Sequence, residues 1–218
     1  MELPPTGLSQ PSANFWRSKF ILHRSRFASL LLLLVTGGAG AEVISSRHWA
    51  LFNTTCARCH EAQCSGRMSL GSEDANSRAH VERYAGVLSD NVHQQLFLYL
   101  QHMKEFCGFA AIPHVFEPRA AWSETQLELF RTPNGEAYFV PLGELGAGSH
   151  RLQARLIGTG WTAQVVSAGF DTLAEAVSCG SGEGLSLDFR AGDGMHYLRV
   201  TGRGALHLQE LRLVAAPM

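Results

Sequence analysis

The pentapeptide Cys56-Ala57-Arg58-Cys59-His60 constrains this chain more than any other stretch. Its spacing is C-x-x-C-H. Two thiols three positions apart on one helical turn can reach the two vinyl groups of a single haem and form thioethers. The next residue, His60, then lies under the iron and offers an imidazole nitrogen. Two other chemistries use the same residue types. Structural zinc takes four ligands, commonly as two separated pairs. Cys64 would complete such a set with Cys56, Cys59 and His60, but all four fall within nine residues and no second knuckle follows. A redox C-x-x-C belongs beside a βαβ pattern, which the flanking sequence lacks. The spacing favours a covalent haem c on Cys56 and Cys59, with His60 as the proximal iron ligand.

The N-terminus reads as an export signal. Arg17, Lys19, Arg24 and Arg26 precede an apolar run at 27–35 that contains five consecutive leucines, and Ala39-Gly40-Ala41 supplies small residues for cleavage before Glu42. The run is far shorter than the roughly 20 residues of a membrane-spanning helix, so a cleaved signal over 1–41 and a periplasmic mature protein with no stable membrane span are expected. Cleavage removes four Lys/Arg and one Glu, leaving 14 basic and 18 acidic residues and a net charge of −4. That balance argues against nucleic acid and anionic membrane surfaces as partners.

Helical spacing surrounds the pentapeptide. Trp49, Leu51 and Phe52 open a first helix. Ser89 or Asp90 caps a second, in which Val92, Leu96, Tyr99, Leu100 and Met103 form an apolar stripe that ends at Gly108. The C-x-x-C-H signal and this closing "LSD…YL" helix resemble a class I mono-haem c-type cytochrome over about a third of the chain. The resemblance implies a helical haem domain at 42–110 whose two terminal helices cross. The family's Gly-Pro after the haem signal and its Met-Pro before the last helix are absent. The sixth iron ligand therefore stays open between His80, 20 residues past His60, and Met68, eight past it. Met103 reads as core, and His114 lies beyond the closing helix. His93 and His102 read as surface histidines. Because the family's helices cross, Cys64 and Cys107 form a candidate disulfide in an oxidising compartment.

Composition shifts near residues 108–125. Pro113 and Pro118 mark a linker over 111–134, and from 135 to 218 the pattern becomes period-two with Gly-rich turns. Strands are expected at 137–140, 151–157, 161–166, 185–189, 196–200 and 206–214, with a helical turn at 171–177 and a buried Cys179. Asp188, Asp193 and Glu183 could bind calcium, although acidic turn residues are commonly just solvated. The expected fold is multidomain, an all-α cytochrome c-like domain followed by a small all-β antiparallel sandwich or jelly roll.

The function expected from these features is single-electron transfer in the periplasm, as a carrier or as the cytochrome subunit of an oxidoreductase. The β-domain would dock a redox partner: a dehydrogenase, an oxidase or another cytochrome. Two alternatives stand beside it. One is a haem protein with an open distal site that binds gas or catalyses a redox reaction. The other is a non-haem secreted binding module.

Overall fold

A computed structural model describes residues 45–61, 64, 68, 71–111, 119–181 and 184–215. These belong to one compact unit. The expected export signal, His114 and Glu183 lie outside the described residues. Alternating apolar residues and glycine turns produce eight strands: β1 (Ala121–Ser123), β2 (Ala137–Leu145), β3 (Gly148–Ile157), β4 (Thr159–Ser167), β5 (Thr172–Ser181), β6 (Leu185–Ala191), β7 (Gly194–Thr201) and β8 (His207–Ala215). They form two antiparallel four-stranded sheets, in the orders β1-β8-β3-β6 and β2-β7-β4-β5.

The first sheet follows a two-residue period, interrupted by one bulge between β3 and β8 at Arg155–Leu156. In β6, Leu185, Leu187, Phe189 and Ala191 are buried while Ser186, Asp188 and Arg190 are exposed. Register places Leu152 of β3 opposite both Leu187 and Leu213, so the inward residues of three strands meet. Tyr138, Val140 and Leu142 of β2 and Leu198 and Val200 of β7 supply the facing layer. Tyr138 ties the sheets by a polar contact as well, since the Leu208 N–H donates to its hydroxyl at 3.2 Å. Burial pushes that phenol up to about 12. At the β3–β4 turn Gly158 has φ +156°, and a Cβ there would meet Leu206 Cδ2 at 2.5 Å. Only glycine leaves room for that buried leucine.

The second sheet departs from the alternating pattern. All of β2 from Ala137 to Gly143 is buried, because the sheet is covered on both faces at β2 and β7. The covering layer is helical: α1 (Ser46–Leu51), a π-helical turn (Phe52–Cys56), α2 (Ala57–His60), α3 (Ala75–Ala85) and α4 (Asp90–Phe106). Side-chain caps start the longer helices. Asp74 accepts from the Asn76 and Ser77 N–H groups, and Ser89 from that of Val92. Gly86 ends α3 at φ +79°, and Cys107 itself takes the left-handed position after α4, where Gly108 was expected.

Both ends of this helical layer are fixed to the second sheet. Trp49 is fully buried, with its ring 4.8 Å from Phe139 and 5.9 Å from Tyr197. Its Nε1–H donates to the Ala110 carbonyl at 2.9 Å, so the start of the layer holds the residue that follows α4. Phe109 lies beside that residue and packs on Phe139, Tyr197 and Phe170 at 4.7–5.3 Å. Arg199 of β7 points into the same layer, 4 % exposed, and donates to Glu61 at 2.8 Å.

These contacts correct the expected fold class. The helices are not a free-standing all-α cytochrome domain followed by a separate β-domain. They are one layer on a mainly antiparallel β-sandwich and share its core. The stretch expected as linker contains β1, which pairs with β8, then a four-residue helix, α5 (Glu124–Leu127), and a 3₁₀ turn (Glu128–Phe130); Leu127 of the helix and Phe130 of the turn are fully buried. The expected helical turn at 171–177 is instead most of edge strand β5. Its edge position leaves Cys179 exposed rather than buried. His93, read as a surface residue, is 1 % exposed on the inward side of α4.

Trp49→Ala should cost about 3–5 kcal/mol, the usual range for deleting a buried tryptophan. Urea unfolding read by far-ultraviolet circular dichroism measures this, and a loss under about 1 kcal/mol would show that the layer is not anchored there.

Candidate functional site

The segment from Trp49 to His60 is helical, but not regularly so. Trp49 and Cys56 are seven positions apart and would share a face of an uninterrupted α-helix. The π turn inserts an extra residue between them, with the Ala57 N–H donating to the Phe52 carbonyl. Asn53 Nδ2 donates to the Trp49 carbonyl at 3.0 Å, and Thr54 Oγ1 to that of Ala50 at 2.8 Å, so polar side chains satisfy backbone groups across the widened turn. As a result Trp49 faces the sheet while Cys56 faces the space between α2, α3 and α4.

That space is a cavity of about 300 Å³. Its body is apolar, formed by Phe52, Val81, Leu96, Phe97 and Leu100. Thr55, Ser77, Tyr84 and Lys104 add polar groups, and Ser77 Oγ is buried with no hydrogen-bond partner among the described residues. The sequence-derived residues Cys56, Cys59, His60, Met68 and His80 all line this one cavity. The His60 and His80 rings sit near-perpendicular with centroids 6.3 Å apart, and His80 packs on Tyr84 at 5.2 Å. Met103 is fully buried in the core and does not line the cavity. Sequence reasoning found the stripe on α4 but not which part of it faces the cavity. Ser77, Val81 and Tyr84 on α3 were missed. Their spacing of four and three is a helical-face signal, but a weak one, because α3 is polar on average.

Cys64 and Cys107 form a disulfide that links the segment after α2 to the end of α4, 43 residues apart in sequence. It closes the helical layer around the cavity. The remaining cysteines, Cys56, Cys59 and Cys179, are free thiols. Burial, followed by the neighbouring Cys59, pushes the Cys56 thiol up to about 12, so it stays protonated at neutral pH. Cys59 is exposed, and also borders a polar groove built by Thr54, Arg58, Asn134 and Glu136.

These findings correct the cofactor expectation. The chain is mainly a β-sandwich, its helices are a layer rather than a cytochrome fold, and among the described residues no group of three or more His, Cys, Asp or Glu side chains could hold a metal ion. The resemblance to a c-type cytochrome, the covalent haem c with iron on His60, and electron transfer to a redox partner are not supported. The non-haem binding reading accounts for the architecture better. Among the described residues no helix is long and apolar enough to cross a membrane.

No protein-family model matches the sequence, and no curated protein matches it. Solved structures do match. A family 6 carbohydrate-binding module from Cellvibrio mixtus lichenase 5A, in complex with cellotriose, aligns at 12 % identity and TM-score 0.31 over 40 % of this chain and 76 % of that one. The C-terminal family 6 module of LamC from Zobellia galactanivorans aligns at 15 % identity and TM-score 0.30 over 37 % and 73 %. A Clostridium stercorarium module of the same kind, in complex with cellobiose, aligns at 13 % identity and TM-score 0.27 over 37 % and 70 %. At these scores the likeness carries no argument about ligand.

The two cavity thiols should differ sharply in reactivity. In a Cys179→Ser background at pH 8, iodoacetamide should label Cys59 rapidly. Cys56, half-buried and with its thiol pushed up to about 12, should label far more slowly than Cys59 and speed up on unfolding. Peptide mass spectrometry reads both sites, and equal rates would show that the Cys56 thiol is not held neutral.

Proposed function

We propose that this chain is an exported, non-haem binding module that holds an apolar small molecule in the cavity between α2, α3 and α4. The observation that carries this reading is the cavity itself. At about 300 Å³ it reaches the lower end of the range for small-molecule sites, and it has the usual composition of one, an apolar body with a few polar groups that fix orientation. Cys56, Cys59, His60, Met68 and His80 are assigned as ligand-contacting residues. Ser77 Oγ is a buried hydroxyl awaiting a partner, which favours a ligand bearing at least one hydrogen-bonding group.

Binding suits the cavity better than catalysis. Cys56 is held as a neutral thiol, which is a poor nucleophile. The basic, leucine-rich leader and the Cys64–Cys107 disulfide both support export. The sandwich serves as the rigid support on which the helical layer is built.

The neutral fluorophore N-phenyl-1-naphthylamine tests this reading. Its emission should rise on titration with the protein and saturate at one site. Leu96→Trp, which fills the cavity from α4, should weaken that binding at least tenfold while the urea midpoint stays within the range of other single core changes. An unsaturable rise, or binding unaffected by Leu96→Trp, would exclude the cavity as the ligand site.

A further inference from the structure

The two sheets present opposite outer faces. That of β2-β7-β4-β5 is covered by the helical layer over β2 and β7, whereas that of β1-β8-β3-β6 is open and carries charge. Register puts its outward residues side by side. Arg151 of β3 lies opposite Asp188 of β6 and Val214 of β8, Gln153 opposite Ser186 and Arg212, Arg155 opposite Glu210, and Ser149 opposite Arg190. The face therefore holds four arginines against two carboxylates, on a chain whose expected mature net charge is −4. The charge is segregated, which the net value conceals.

The pairing within the face is informative. Asp188 engages Arg151 through two bonds, Nε to Oδ1 at 2.6 Å and Nη2 to Oδ2 at 2.8 Å, and Glu210 bonds Arg212. Arg155 and Arg190 have no acidic partner among the described residues and are exposed. Measured along β3, position 155 and position 149, which faces Arg190, are six residues apart, or about 20 Å. The track between them runs past the Arg151–Asp188 pair, whose carboxylate is already neutralised by its two bonds, and carries Gln153 and Ser186, with Ser149 beside Arg190; these can hydrogen-bond hydroxyl groups. Gln153, Arg155, Glu210 and Arg212 also border a shallow depression of about 500 Å³.

We propose that this open sheet face binds a carboxylate-bearing polysaccharide, a polyuronate, lying along β3 and β6 with acid groups on Arg155 and Arg190. A track of that length suits a polymer rather than a single sugar. Guanidinium forks match planar carboxylates in two-bond geometry, as Arg151 and Asp188 already demonstrate on the same face. The serines and Gln153 between the two arginines suit the hydroxyls of the intervening rings. The proposal rests on the binding-module reading but uses a surface separate from the cavity.

Native gel electrophoresis of the full exported protein tests it, with polygalacturonate, a neutral β-glucan, dextran sulfate or duplex DNA cast in the gel. Polygalacturonate should retard the protein, about 0.5 M salt should relieve the retardation, and the neutral glucan should have no effect. The double variant Arg155→Ala/Arg190→Ala should bind at least tenfold more weakly with an unchanged urea midpoint. Arg155→Lys/Arg190→Lys, which keeps the charge but loses the fork, should also weaken binding. Equal retardation by dextran sulfate or DNA would mean that charge alone is recognised and would overturn the assignment. So would no retardation by polygalacturonate, or retardation unchanged in the alanine variant. Fluorophore binding by the same samples separates the two readings. If it persists while the polymer fails, only the polysaccharide inference falls. If it is absent from the parent protein while the polymer binds through Arg155 and Arg190, only the cavity reading falls.

Discussion

The hydrogen bond and ring contacts of Trp49 hold the rest of this architecture in place. One indole joins three things: the sheet through Phe139 and Tyr197, the start of the helical layer through its own backbone, and the end of that layer through the Ala110 carbonyl. Phe109 completes the anchor on the same rings. The 59 residues between Trp49 and Phe109 thus leave the sheet and return to almost the same place. A segment held in this way needs no independent core, and among the described residues it encloses the apolar cavity between α2, α3 and α4. Burial of the Trp49, Phe109, Phe139 and Tyr197 rings against one another removes large apolar surfaces from water and favours this docking.

Electrostatics has a different role at this interface. Arg199 projects from β7 into the helical layer, where burial lowers its pKa and Glu61 offsets that effect. The Arg199–Glu61 pair is a weak source of net stability, because removing both charges from water costs roughly what their attraction returns. Its contribution is placement. A guanidinium on the sheet that demands a carboxylate at residue 61 fixes where α2 ends, and so fixes where Cys56, Cys59 and His60 stand relative to α3 and α4. The ring of Phe109 lies 5.7 Å from the same guanidinium, which joins the aromatic anchor to the ion pair.

The sandwich was largely legible in the sequence, because alternation and glycine turns are local signals. Leu185 to Ala191 could hardly be read otherwise. What local signals cannot show is which sheet face is covered. Tyr138 and Phe139 are adjacent and both buried, and only the helical layer explains why. That missing fact is also why the chain looked divisible at residues 108–125: the composition changes there, but Trp49 and Phe109 carry the core across the change. The residues of the candidate site were reached through one pentapeptide, which led to the residues that line the cavity and implied a cofactor chemistry that the architecture does not support. The π turn escaped notice because Asn53, Thr54 and Thr55 read as ordinary polar helix positions. The back-bonding of Asn53 to Trp49 and of Thr54 to Ala50 is visible only in three dimensions. The arginine face was hidden by net charge, since Arg151, Arg155, Arg190 and Arg212 come from three strands and converge only through register.

The central claim is that the cavity beside Cys56, Cys59 and His60 is an exchangeable seat for an apolar ligand. A visible absorption spectrum of the full protein, exported from cells that also express haem-attachment machinery and recorded before and after reduction, tests that claim most directly. An exchangeable apolar seat gives no Soret band, no band that sharpens on reduction, and two cavity thiols still available for labelling after unfolding. A Soret band that survives acidified organic extraction, with Cys56 and Cys59 blocked as thioethers, would contradict it and make the cavity a covalent haem site.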